Sequence, residues 1–185
     1  MAINNCIPES KTGGEIQGTK KSVLLEKVEE AVLSGHKILI FTNFLAAVEE
    51  ISWELTHRGL EHLVMTGETK DRGSLVHRFQ NDEKIRVFVL TLKTGGFGLN
   101  LTAADMVFIY DPWWNVAAEN QAIDRIHRLG QGRKVFCYRL IARGTIEEKI
   151  LALQERKKAL FESIITSDLG AIKQLSPEDL NYLLS

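Results

Sequence analysis

Four short apolar runs, KILIF (Lys37 to Phe41), IRVFVL (Ile85 to Leu90), MVFIY (Met106 to Tyr110) and KVFCYRLI (Lys134 to Ile141), set the tightest limit on how this chain can fold. They show little polar alternation, so a strand built from them is apolar on both faces. Such a strand is stable only in a sheet covered on both sides. The segments between them carry the other period. Leu24, Val28, Ala31 and Val32 follow helical spacing between Lys20 and Ser34, and further helices are expected from about Leu45 to His57 and from Asp71 to Gln80. A short strand is expected near His62 to Met65. Strands alternating with helices predict an α/β, three-layer domain with a mainly parallel central sheet.

Beyond the last strand, GTIEEKILALQERKKALFESII places Ile146, Ile150, Leu153, Leu160 and Ile164 at helical spacing, with Thr145 positioned as a cap before Glu147 and Glu148. This predicts a long C-terminal helical extension. SPEDLNYLL (Ser176 to Leu184) predicts a short closing helix, with Ser176 as N-cap and Pro177 at the first position. Residues 1–18 have no sustained period and read as a linker or the edge of something longer. The domain boundaries expected are therefore a linker over 1–18, the α/β domain over 19–143 and the helical extension over 144–185.

Composition excludes several classes. The chain has 185 residues, a formal charge of −1, 25% charged and 44% hydrophobic residues, which is globular composition and not that of a polycation. Contact with nucleic acid would have to run through a local patch. No apolar run reaches the roughly 18 residues of a membrane span, and MAINNCIPESKTGG has no basic region followed by an apolar stretch. No membrane partner is expected. Cys6 and Cys137 match no metal spacing, and the five histidines are scattered, so neither a disulfide nor a structural zinc is expected.

In open α/β sheets, ligands bind beyond the carboxyl ends of the strands. Three segments stand there. LKTGGFGLNLT (Leu92 to Thr102) offers Gly95, Gly96 and Gly98, which either let backbone amides approach an anion or serve a turn with positive φ. YDPWWNV (Tyr110 to Val116) puts two tryptophans at a strand end, where they cap the core or stack on a nucleic acid. In QAIDRIHRLGQ, at about 100° per residue, Gln121, Asp124, Arg125 and Arg128 share one sector while Ala122, Ile126 and Leu129 gather on a neighbouring apolar one. Two arginines one turn apart are either a solvated face or a pair of forks converging on a polyphosphate, whose charge removes their repulsion.

Taken together and in this order, these segments resemble the second RecA-like lobe of the Swi/Snf family of DNA-dependent ATPases, within the superfamily-two helicases. KILIFTNF is similar to the family's motif IV strand and MTGETKDRGSLVHRFQND to its Gly-x-Thr and arginine segment. LTLKTGGFGLNLT resembles motif V, IYDPWWNVAAENQAIDRIHRLGQ the Asp-x-x-Trp-Asn-Pro element plus motif VI, and RLIARGTIEEKILALQERK the C-terminal brace. The resemblance covers nearly the whole chain. Val116 stands where the family usually has proline, Leu92 where threonine is frequent, and Glu68 where a small hydroxyl residue is common.

The resemblance implies roles by position. Arg125 and Arg128 would be the arginine fingers that reach ATP held by a partner lobe, and Gly96, Gly98, Asn100 and Gln121 would line the nucleotide side of the cleft. Lys93 and Trp114 would face double-stranded DNA, at a backbone phosphate and the minor groove, with Thr69 a further phosphate contact. ATP with magnesium is the cofactor implied, bound mainly by an N-terminal RecA-like lobe. The chain itself has no Gly-x-x-x-x-Gly-Lys-[Ser/Thr] loop and no strand ending in an acidic pair. DRIH (Asp124 to His127) belongs to motif VI and is assigned no metal.

The chain thus reads as a fragment, with its nucleotide-binding lobe upstream, a true C-terminus after SPEDLNYLLS, and no ATPase activity by itself. DPWWN and TGETKDR suggest a bacterial, nucleoid-associated cytoplasmic protein, or a nuclear one if the source is eukaryotic. Two rival functions stay open: an RNA-directed superfamily-two helicase lobe, and a non-catalytic RecA-like adaptor.

Overall fold

The computed structural model describes residues 16–95, 99–112 and 134–166. In chain order the elements are α1 (Ile16–Leu33), β1 (Ile38–Thr42), α2 (Leu45–His57), β2 (His62–Met65), α3 (Arg72–Asn81), β3 (Val87–Thr91), the short α4 (Leu92–Gly95), β4 (Met106–Ile109), β5 (Phe136–Arg139) and α5 (Ile146–Thr166). The five strands form one sheet in the order β2-β3-β1-β4-β5. Every neighbouring pair is parallel, with Ile38 opposite both Val87 and Met106, and Met106 opposite Phe136.

The sequence pattern explains the layers. β1 and β3 are buried at every position. Successive side chains point to opposite faces, so each strand feeds two cores. Leu39, Phe41, Phe88, Leu90, Val107 and Ile109 join Leu63, Met65 and Phe79 of β2 and α3 in one. Ile38, Ile40, Val87, Val89 and Phe108 join Leu24, Leu25 and Val28 of α1 and Val48, Ile51 and Leu55 of α2 in the other. The expected three-layer α/β architecture with a parallel sheet is what the structure shows.

Helix ends follow local chemistry. After α1, Gly35 takes φ +85° while its amide bonds to Val32 O and the amide of His36 to Ala31 O, both at 3.0 Å. After α2, Gly59 at φ +69° repeats the arrangement, with Gly59 N on Thr56 O and Leu60 N on Leu55 O. These are Schellman closures, which need a left-handed residue that glycine supplies without a steric cost. At its N-terminus α3 is capped by the Asp71 carboxylate, which accepts from Ser74 N at 3.0 Å. Thr145 caps α5 as expected, its hydroxyl accepting from Glu147 N at 3.2 Å.

The structure differs from the sequence reading at several element ends, the last strand for example being confined to Phe136–Arg139. α1 begins at Ile16, inside the stretch read as linker. The β3 ladder starts at Val87 rather than Ile85, although Arg86 O already accepts from Ile38 N at 2.7 Å. α4 was not anticipated, because four residues leading into glycines carry no measurable period. The closing helix expected over Ser176 to Leu184 lies outside the described residues. Among the described residues, no helix is long and apolar enough to cross a membrane.

Candidate functional site

Because all the strands run in parallel, their carboxyl ends share one edge of the sheet, and the chain segments leaving that edge form the candidate site. At the exit of β3, α4 holds Lys93 exposed between two anchors, Leu92 at 4% and Thr94 at 1% exposure. The Thr94 hydroxyl pairs with that of Thr91 at 2.5 Å, tying the turn to the strand end. The flanking side chains are thereby fixed inside, and the lysine ammonium points to solvent, where it can meet a phosphate.

Asn100 is exposed in the following loop; its carbonyl accepts from Gln80 Nε2 at 2.7 Å, and Leu101 beside it is fully buried. The loop is pinned on both the helix α3 side and the core side. Gly96 and Gly98 lie outside the described residues, so their expected approach to an anion has no structural reading.

At the exit of β2, Thr66 and Thr69 close a tight turn. Thr66 N donates to Thr69 Oγ1 at 3.0 Å and Thr69 N to Thr66 O at 3.3 Å. Arg72 ties the same turn down, with Nε on Thr69 O at 3.3 Å and Nη2 on Gly67 O at 3.1 Å. The Thr69 hydroxyl thus has an acceptor role inside the turn, which leaves its proton for a ligand oxygen. Glu68 is exposed beside it and opposes an anion there.

The exits of β1 and β4 meet at Asp111, which is 9% exposed. The Thr42 hydroxyl donates to Asp111 Oδ2, Asn43 Nδ2 donates to Asp111 O at 3.0 Å, and Lys20 Nζ lies 3.5 Å from Asp111 Oδ1. Lys20 also pairs with Glu147 Oε1 at 2.6 Å and sits 4.6 Å from the centroid of the Tyr110 ring. Burial, reinforced by the Asp111 charge, pushes the Tyr110 phenol up to about 12.

No local sequence pattern announces this cluster, whose members are separated by as many as 127 residues. Trp114, Gln121, Arg125 and Arg128 lie outside the described residues. The structure therefore brings Lys93 and Thr69 to the carboxyl edge of the sheet, holds Asn100 beside Gln80 at the C-terminal end of α3, and leaves the expected nucleotide-side arginines without a described position. Among the described residues, no group of three or more His, Cys, Asp or Glu side chains could hold a metal ion.

With this geometry in place, the comparisons with known proteins fall into one pattern. Residues 19–130 match the helicase conserved C-terminal domain. An uncharacterised ATP-dependent helicase of Mycoplasma pneumoniae is 36% identical over 176 residues, covering 94% of this chain and 17% of that protein. The C-terminal part of the Fun30 ATPase domain superposes with a TM-score of 0.71 at 33% identity, over 78% of this chain and 47% of that one. The Sulfolobus solfataricus SWI2/SNF2 ATPase core superposes at 0.63 with 39% identity, over 86% of this chain and 33% of that one. The chain thus spans less than a fifth of that curated relative and less than half of either solved chain. A parallel RecA-like sheet and a match to helicase C-terminal lobes across most of its length make this chain the C-terminal helicase-like lobe of a protein of the Swi/Snf family.

Proposed function

We propose that this chain is the second motor lobe of an ATP-dependent translocase that moves along double-stranded DNA. In this reading Arg125 and Arg128 close on the phosphates of an ATP held, with magnesium, by a preceding RecA-like lobe. Gln121, Gly96, Gly98 and Asn100 line the nucleotide side, while Lys93, Thr69 and Trp114 hold DNA. The observation that carries the reading is the exposed Lys93 on α4, fixed by buried neighbours at the sheet edge where ligands of open α/β sheets bind. An ammonium presented there suits a phosphate backbone and carries no sequence information, as a translocase requires.

Phosphoryl transfer needs placement and charge neutralisation more than covalent chemistry, so guanidinium groups brought in from a second lobe are an effective catalytic device. Binding ATP between lobes would draw them together and hydrolysis would release them, converting turnover into steps along the duplex.

The decisive experiment joins this lobe to a nucleotide-binding lobe and measures DNA-stimulated hydrolysis. Arg128→Ala is expected to lower turnover by about 10³-fold or more while leaving ATP binding in place. Undiminished turnover would remove the arginine-finger role. Competition between duplex DNA and duplex RNA for stimulation distinguishes this function from an RNA-directed helicase. Absence of turnover in the joined wild type would favour the adaptor reading.

A further inference from the structure

One ammonium binds together three parts of the fold that are remote in sequence. Lys20 lies on α1, Asp111 follows β4, and Glu147 is in the first turn of α5. Oxygens of both carboxylates lie within 3.5 Å of the same nitrogen. The side chains are largely enclosed, with exposures of 7% for Lys20, 13% for Asp111 and 19% for Glu147. Each carboxylate has a second partner that fixes it: Thr42 donates to Asp111, and Ala142 N donates to Glu147 Oε2 at 2.8 Å. Two enclosed negative charges therefore depend on one cation. Without it they repel each other across a poorly solvated site.

The place of this cluster in the chain gives it consequence. Asp111 and Pro112 directly precede the stretch carrying Trp114, Arg125 and Arg128, while Glu147 begins the helix read as the brace.

We infer that Lys20 is a positioning residue for the motor reaction: its ammonium locks the chain leaving β4, which leads in sequence to Arg125 and Arg128, to α1 and to the start of α5. This role rests on the translocase reading above. Lys20 touches neither nucleotide nor DNA in it.

The test uses Lys20→Met, which keeps the length and removes the charge, and Lys20→Arg, which restores the charge. In the joined two-lobe protein, Lys20→Met is expected to lower kcat for DNA-stimulated hydrolysis about tenfold, with KM for ATP and Kd for DNA held within about twofold, and Lys20→Arg to recover most of the loss. In the 185-residue chain, Lys20→Met should raise hydrogen exchange at the amides of Ala142 and Glu147 about tenfold while the amides of Val87–Thr91 keep their protection. An unchanged kcat, or a loss of protection spread across β1 and β3, overturns the positioning role. Wild-type two-lobe protein without DNA-stimulated turnover overturns the motor reading itself, a failure visible before any variant is compared.

Discussion

Tyr110 shows how burial at the sheet edge sets the chemistry of a single side chain. It is 7% exposed, faces the Lys20 ammonium at 4.6 Å, and has its phenol pushed up to about 12, first by burial and then by the Asp111 charge beside it. A phenol whose folded value lies above its unfolded value of 10.0 keeps its proton longer in the folded chain. That contribution to stability is complete below pH 10 and is lost as pH rises through about 12. Of the three tyrosines, Tyr110, Tyr138 and Tyr182, Tyr110 should ionise late when absorbance at 295 nm is followed upward from pH 10. Tyr110→Phe should remove that late component. An unchanged curve in the variant would show that the phenol is not held in this environment. At this scale the sequence was only partly informative. The place of Lys93 just beyond the strand ending at Leu90 could be read from the sequence, but the pairing of Lys20 with Asp111 and Glu147 could not. A contact between residues 20 and 147 leaves no periodic trace, because nothing in local spacing encodes which distant charges the fold brings together.

Helix α3 illustrates the same division among elements, since its two ends are closed by chemistry of different range. Asp71 caps the N-terminus from one residue away, and Asp71→Ala should cost about 1 kcal/mol. Its C-terminus is held from β1's side, where Lys37 Nζ donates to Phe79 O and, at 3.0 Å, to Asp82 O. Burial, and then the Arg86 charge, holds the Lys37 amine below the usual lysine value, so part of what those carbonyls contribute is offset by desolvation. Lys37→Met is therefore expected to cost only about 1–2 kcal/mol, less than the charge-assisted bonds alone would suggest. Phe79→Ala, which empties a fully buried site packed 5.3 Å from the Phe88 ring, should cost about 3–5 kcal/mol. Urea denaturation of the three variants ranks them, and a Phe79 variant no weaker than the capping variants would contradict the packing described. The helix itself was readable because its core-facing residues keep a period and its cap is local. β1 and β3 were readable because burial on both faces favours an unbroken apolar run. α4 was not, since four residues cannot express a period.

For the whole molecule, the consequential fact is that a five-stranded RecA-like sheet, among the described residues, accompanies a sequence with an incomplete set of groups for ATP chemistry. The sequence supplies Arg125 and Arg128 in the family's motif VI order but no phosphate-binding loop, so in the proposed mechanism this lobe contributes charge to a nucleotide that another lobe must hold. The 185-residue chain is accordingly expected to hydrolyse no ATP with duplex DNA and magnesium present, at any nucleotide concentration tested. It should still bind DNA. With a formal charge of −1, the attraction has to come from a local patch rather than from the protein as a whole, in the proposed reading the sheet edge, which makes it weak and confined to a few phosphates. Each phosphate neutralised contributes about −0.9 to the slope of log affinity against log salt, so Lys93→Ala should flatten that slope by about one while lowering affinity equally for unrelated duplex sequences. Fluorescence anisotropy across a salt series reads both quantities. An unchanged slope would move the DNA path away from α4, and turnover by the isolated chain would mean that its own residues hold the triphosphate, which the division of labour between two lobes does not allow.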